Sequence, residues 1–484
     1  MINRRQVVVG SALVPWAAWA RPAATAGGDG DLVRLLIDTP RDGLVEALAL
    51  RIGGGLQPPQ LLGALAIATC REVSPFPNVG FKYHAVMMLR SVEQSVAAMS
   101  PERAWLPLLW TADYFKAAQA QEDRRRPWSL PAQEARLAPE LAELQDSLAS
   151  WESERADSAA AALVAAGQTP RVLQTLMLHA SRDFRAIGHK TIAAANAHRL
   201  YTALGEGVAS PLARSLALAV QNAEGDDPAR HAYPADRDWQ TNQALATSLP
   251  GDWQAGHDDF AAAQELVQEL RTASSEGAAT AAARMLDDNV SAHTMWEAVM
   301  VFAAELILRR NSVVSLHATT TANAMHYCYL MAARDHARRL QLLQAVAFMA
   351  RFRSLVERDR RTRDRLIDDI DPLPAADLDE IFGTVGRSRY ESVRQALGWL
   401  EARGDAAALG ARARWYATLK NTGTHDIKFI EATLENHGWL RLAWRDTLLA
   451  AGLMYANGSS AKDDGVVVRA RALLARTRSE STGL

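Results

Sequence analysis

Three observations predict an all-α protein. Apolar residues recur at three- and four-residue spacing over long stretches, as in Leu340 to Phe352 and Val393 to Leu400. Alanine, leucine and arginine, all strong helix formers, dominate the composition. Alternating β-branched runs of strand length are almost absent, and the nearest, Val466 to Val468, passes into a helical pattern. Breaks between helices are expected at Pro58-Pro59, at Ser74 to Gly80, around Pro127 to Pro131 and at Asp371 to Pro374. The longest polar, Pro- and Gly-containing stretch runs over residues 222–257, through Pro228, Pro234 and Pro250. Its length suits an ordered excursion or lid better than a spacer. The reading is one large bundle-like domain in two lobes, 27–221 and 258–484, with two separate domains as the alternative.

The N-terminus carries its own signal. Arg4-Arg5, an apolar stretch from Val14 to Ala20, and Ala24-Thr25-Ala26 before Gly27 make residues 1–26 a twin-arginine export signal. The alternative is a plain apolar tail. Pro15 and the short apolar length argue against a membrane span, and no later segment holds about 18 uninterrupted apolar residues. The mature chain is therefore expected to be periplasmic or secreted, delivered by the twin-arginine export machinery, without stable membrane insertion.

Composition excludes several classes. The 484 residues are 49% hydrophobic and 22% charged with a net charge of −2, so the chain can bury a large core but has no basic excess for nucleic acid. Two cysteines, Cys70 and Cys328, leave no disulfide framework, Cys-rich zinc module or c-type haem attachment. There is no P-loop, GxGxxG, HExxH or GxSxG motif to support nucleotide-cofactor or serine-hydrolase chemistry. The chain has 47 arginines but only 6 lysines, and three of these, Lys82, Lys190 and Lys428, lie within three residues of a histidine. Arginine serves a solvated surface as well as lysine does, but it cannot give up its proton.

Four of the twelve histidines share a context: each stands near a helix start, after a loop signal, and leads into an apolar stretch. His84 ends Pro77-Asn-Val-Gly-Phe81-Lys-Tyr-His84; His189 follows Gly188; His317 ends Val314-Ser-Leu-His317; His425 follows Gly423-Thr424, with Thr424 as the expected N-cap. Imidazoles from separate helices, facing a bundle interior, suit a first-row metal such as iron, zinc or copper. Each taken alone also reads as a hydrogen-bonded core residue. Lys428 lies three residues after His425 and shares its face, while Asp426 points elsewhere and supports the helix N-terminus. In the apolar setting of Phe429, Ile430 and Leu434, burial would make the Lys428 amine neutral. Such an amine can act as a base, form a Schiff base or add carbon dioxide to become an anionic carbamate; the alternative is a snorkelling side chain.

Other polar groups compete. His198 and His326 are nine residues beyond His189 and His317, on the opposite side of the same helices. His293 and Glu297 share a face that Glu305 continues, a candidate metal or supporting-ligand group or equally an ordinary Glu305-to-Arg309 surface stripe, and Asp113 to Lys116 reads most simply as a helix salt bridge.

Val314-Ser-Leu-His317-Ala-Thr-Thr-Thr-Ala-Asn-Ala and Thr424-His425-Asp-Ile-Lys428-Phe-Ile resemble two segments of the questin oxidase-like family. Phe184-Arg-Ala-Ile-Gly-His189 and Tyr83-His84-Ala-Val resemble two more. The family comprises large helical enzymes that open anthraquinone-type rings with oxygen, its better understood members being similar to non-haem iron dioxygenases. The resemblance implies Fe(II) held by His84, His189, His317, His425 and a Lys428 carrying a carbamate derived from CO2. His425 and Lys428 then stand closest to the chemistry, and O2 and an aromatic small molecule are the partners. His179 or His198 could replace His189 in that set. The export signal departs from the family's fungal polyketide enzymes and leaves the substrate open. The expected function is thus an exported oxygenase that oxidises or ring-cleaves an aromatic, polyketide-like molecule. Two alternatives stand beside it: a zinc or other redox-inert metal hydrolase at the same histidines, and a non-catalytic helical binding protein whose histidines are structural.

Overall fold

The computed structural model describes residues 28–122, 127–133, 140–182, 184–222, 233–375 and 377–482. The expected export signal at 1–26 lies outside them. Among the described residues there are 23 α-helices and no strand; one isolated bridge joins His257 to Val290. The chain is all-α, as its periodicity requires.

The helices form where the sequence places them. Leu340 to Phe352 lies within the helix Asp335–Glu357, and its apolar residues are buried. Val393 to Leu400 lies within Arg389–Arg403, where the Ser388 side chain accepts from the Glu391 N–H and Gly404, at φ +67°, closes the C-terminus. Val466 to Val468 opens the helix Gly465–Thr482, and the Asp464 carboxylate accepts from the N–H groups of Val466 and Val467. Pro58 and Pro59 occupy the first turn of Pro58–Glu72, where a missing N–H costs nothing. The breaks at 74–80, 127–131 and 371–374 are irregular as expected.

Two compact units divide the described residues. One comprises Leu249–Asn323 and Val346–Lys462; the other comprises 28–248, Ala324–Ala345 and 463–482. In the first, Phe260–Thr272 packs on Ala292–Arg309, and Ala406–Leu419 packs on Thr424–Trp439. In the second, Ala209–Val220 packs on Ser153–Ala165, His189–Leu204 packs on Leu89–Ala98, and the C-terminal helix Gly465–Thr482 packs on Arg41–Gly53 and Trp105–Gln119. Both units are discontinuous in sequence, whereas the linear reading divides the chain once, at 222–257. Within that stretch, Pro234–Ser248 is a helix. No described helix is long and apolar enough to cross a membrane.

Two expected ion pairs have other partners. Glu305, fully buried, takes the Arg271 guanidinium at 2.5 Å, and Arg309 pairs with Glu357 instead. Asp113 holds Arg41 at 2.6 Å, while Lys116 donates to the carbonyls of Leu36 and Ile37 and to Gln119. Spacing along one helix identifies a shared face, but a bidentate guanidinium from another helix outcompetes a neighbour on the same one.

Candidate metal centre

His84 and His189 are delivered by two strained turns. His84 begins the short helix His84–Met87 and follows Phe81 at φ +49°. His189 begins His189–Leu204 and follows Ile187 at φ +42° and Gly188 at φ +81°. Phe81 and Ile187 are two of only four non-glycine residues with positive φ among the described residues. A bulky or β-branched residue holds that conformation only where its surroundings impose it. Here the turns aim carbonyls at the rings: His84 Nδ1 lies 2.8 Å from the Phe81 oxygen, and His189 Nδ1 lies 2.7 Å from the Ala186 oxygen. With Nδ1 committed to donation, Nε2 is the nitrogen each ring presents as a ligand. The rings meet edge to face, 5.0 Å between centroids. Asn196 Nδ2 donates to the Met87 carbonyl at 2.8 Å and ties the two segments together.

A second pair repeats this construction. His317 sits in the first turns of Val313–Met331, its Nδ1 2.6 Å from the Val313 oxygen. His425 is the second residue of Thr424–Trp439, its ring 5.1 Å from that of His317 and nearly perpendicular to it. Again an asparagine braces the two helices: Asn323 Nδ2 lies 3.0 Å from Asn436 Oδ1 and 3.1 Å from Glu435 Oε2. The N-cap of the second helix is Gly423, not Thr424, which is its first residue. Asp426 supports the turn instead, accepting from the Thr422 N–H, the Thr422 hydroxyl and Asn457. This fixes the backbone from which His425 and Lys428 project.

Lys428 is 2% exposed, and its Nζ has no hydrogen-bond partner among the described residues. Burial alone pushes its amine down to about 7, so near neutral pH a large fraction is uncharged. An unpartnered buried amine is costly, and its place on the His425 face makes it a candidate donor.

The ligand atoms of His84, His189 and His317, all buried, lie within 4.8 Å of one another, a group that could hold a metal ion. At metal–nitrogen bonds of about 2.1 Å, two nitrogens on one ion stand about 3 to 4.2 Å apart. The donor set fits a first-row transition metal.

The competing histidines have other work. His198 Nδ1 lies 2.9 Å from the Tyr327 hydroxyl, and burial pushes the ring down to about 4. His179 Nε2 lies 3.0 Å from Gln221 Nε2, beside Trp151. His326 stacks on Tyr329. His293 pairs with Glu297, which also accepts from the N–H groups of Arg441 and Leu442. His189, rather than His179 or His198, meets His84. Of the other lysines, Lys82 pairs with Glu122, Lys190 lies over Trp151, and Lys420 donates to the Ala461 carbonyl.

Sequence reasoning missed the carbonyls that orient three of the imidazoles and the two asparagine braces. The braces had a signal: Asn196 and Asn323 each interrupt an apolar helical stretch. No family model, no curated protein and no solved structure matches the chain.

Proposed function

We propose that this chain is a metal-dependent oxygenase in which His84, His189, His317, His425 and a carbamylated Lys428 hold one Fe(II) ion. The proposed substrate is an aromatic, polyketide-like small molecule, oxidised or ring-cleaved with O2. The observation that carries this reading is Lys428. Its buried, unpartnered amine shares a helix face with His425, whose ring meets that of His317, a member of the three-histidine group. The neutral Nζ adds to the carbon of CO2, forming an N–C bond and releasing one proton to solvent. The product is an anionic oxygen donor where a bare amine stood. Four neutral imidazoles and one carbamate offset one of the two charges of the ion. When bound, Fe(II) supplies electrons to O2. The protein's part is to fix the imidazole tautomers through backbone carbonyls and to keep the donors out of water. The choice of O2 and an aromatic substrate rests on the segments that resemble the questin oxidase-like family. Residues 1–26 are proposed to send the chain to the periplasm or medium by twin-arginine export.

One observation favours a second reading. Three buried histidines are also the ligand set of a hydrolytic zinc centre with an open position. Oxygen uptake decides between the two. Iron-reconstituted protein given a hydroxylated anthraquinone should consume O2, and His425→Ala should not. Full zinc occupancy without uptake transfers the site to hydrolysis. Absence of any bound metal leaves a helical binding protein with structural histidines.

A further inference from the structure

We propose that the arginine-rich turn after the helix Asp335–Glu357 seats the chain on an anionic phospholipid surface. This seat is independent of the metal-site reading, and its test needs no metal. Residues 358–365 carry five arginines, Arg358, Arg360, Arg361, Arg363 and Arg365, against Asp359 and Asp364, in a chain whose net charge is −2. The turn is shaped by its own polar groups. The Asp359 carboxylate accepts from the Arg361 N–H at 2.9 Å and from the Arg310 guanidinium at 2.7 Å. The Thr362 hydroxyl donates to the Val356 carbonyl at 2.7 Å, and the Arg363 N–H donates to the Arg309 carbonyl at 2.8 Å. The nearby acids are mostly taken: Glu357 holds Arg309 and Arg353, Asp359 holds Arg310 and Arg361, Asp368 holds Arg271, and Asp371 holds Arg394. The side chains of Arg358, Arg360 and Arg363 are exposed and have no partner among the described residues. Asp364 and Asp369 are the acids of this segment left to offset them.

Like charges crowded on one turn repel each other and raise the local potential, which costs the folded chain stability and attracts an anionic partner. An apolar group stands beside them. The Arg309 carbonyl and the Arg310 guanidinium join this turn to the segment that opens the helix Val313–Met331, and Val313, its first residue, is 52% exposed. Cations next to an exposed aliphatic side chain suit a lipid surface, where the guanidinium groups meet phosphates and the valine meets the acyl boundary. A nucleic acid would gain nothing from the valine, and the negative net charge of the chain would oppose a polymer longer than the turn. No described helix is long and apolar enough to cross a membrane, so the contact is peripheral. His317 lies four residues after Val313, about 6 Å along the helix, so the seat sets the start of the His317 helix against the lipid.

Co-sedimentation of the full chain with vesicles, of phosphatidylglycerol or of phosphatidylcholine alone, tests this. The expected result is partition into phosphatidylglycerol vesicles but not phosphatidylcholine at about 0.1 M salt, lost at about 1 M, where the screening length falls to about 3 Å. Each arginine at an anionic surface strengthens partition about fivefold. The triple variant Arg358→Gln, Arg360→Gln, Arg363→Gln should therefore partition about 100-fold more weakly, with an unchanged melting temperature because these side chains bond nothing. The corresponding triple lysine variant keeps the charge and should stay within about threefold of wild type. Val313→Ser should weaken partition several-fold. Equal partition of wild type and the glutamine variant overturns the proposal, as does equal partition of wild type and Val313→Ser. So does wild-type binding to both lipids alike, or loss of binding in the lysine variant. Capture of soluble poly-glutamate or DNA through the same arginines, without partition into vesicles, also overturns the lipid assignment.

Discussion

Replacing Lys428 with methionine should separate folding from metal binding. Burial pushes the Lys428 amine down to about 7 in the folded chain, against about 10.4 when unfolded. Between these values the unfolded chain holds a proton that the folded chain has released. Stability therefore rises with pH across that window by about 1.4 kcal/mol per unit, and the liability is fully present below pH 7. Its full size is up to about 5 kcal/mol, a large fraction of the stability of any domain. Methionine has a similar length and no charge to desolvate. With metal chelated, urea denaturation at pH 6 should show Lys428→Met more stable than wild type by several kcal/mol, up to that limit of about 5. The gap should close as pH rises towards 10. Adding Fe(II) should narrow or reverse the order, because wild type gains about 2.7 kcal/mol at a metal concentration of 100 times Kd and the variant gains less. A metal-free wild type as stable as the variant at pH 6 would show that Lys428 is not a buried, desolvated amine. Equal metal affinity in the two would show that it is not a ligand.

Other substitutions read different parts of the structure. Asn323→Ala removes the brace between the helices of His317 and His425; it should cost about 1–3 kcal/mol in denaturation and weaken metal binding roughly tenfold or more, measured by competition with a chelator. His198→Gln should flatten the acid limb of stability. With the folded ring pushed down to about 4, wild type loses stability as pH falls from about 6.5 to 4, up to about 3 kcal/mol, and thermal melts of the two across this range check it. Arg414→Ala strips the partner, at 2.6 Å, from the buried Glu431 carboxylate. A loss of about 3–5 kcal/mol is expected, and Arg414→Lys should recover part of it.

Much of the site was legible because its rule is local. An imidazole at a helix start that leads into an apolar stretch is readily buried, and His84, His189 and His317 are buried while His425 is half-buried. Gly188 marked one turn, and the nine-residue offset placed His198 on the far side of its helix, where it bonds Tyr327. The second turn was not legible, since nothing in the side chain of Phe81 announces a positive φ. Nor were the carbonyls of Phe81, Ala186 and Val313, because every residue carries one and only the fold selects which accepts a proton. The helix begins at Thr424 with Gly423 as its N-cap, and the side chain that supports this turn is that of Asp426, which accepts from the Thr422 N–H. Glu305 and Asp113 found arginines from distant helices; such long-range partners leave no trace in local spacing.

Metal stoichiometry by elemental analysis, on wild type and His425→Ala loaded with Fe(II) under anaerobic conditions and then desalted, bears on the whole centre at once. One iron per wild-type chain and less than about a tenth of that in the variant, as expected for a tightly coupled ligand set, is the outcome that the five-donor site requires. A wild-type chain without iron, or a His425→Ala chain as fully loaded as wild type, would contradict it.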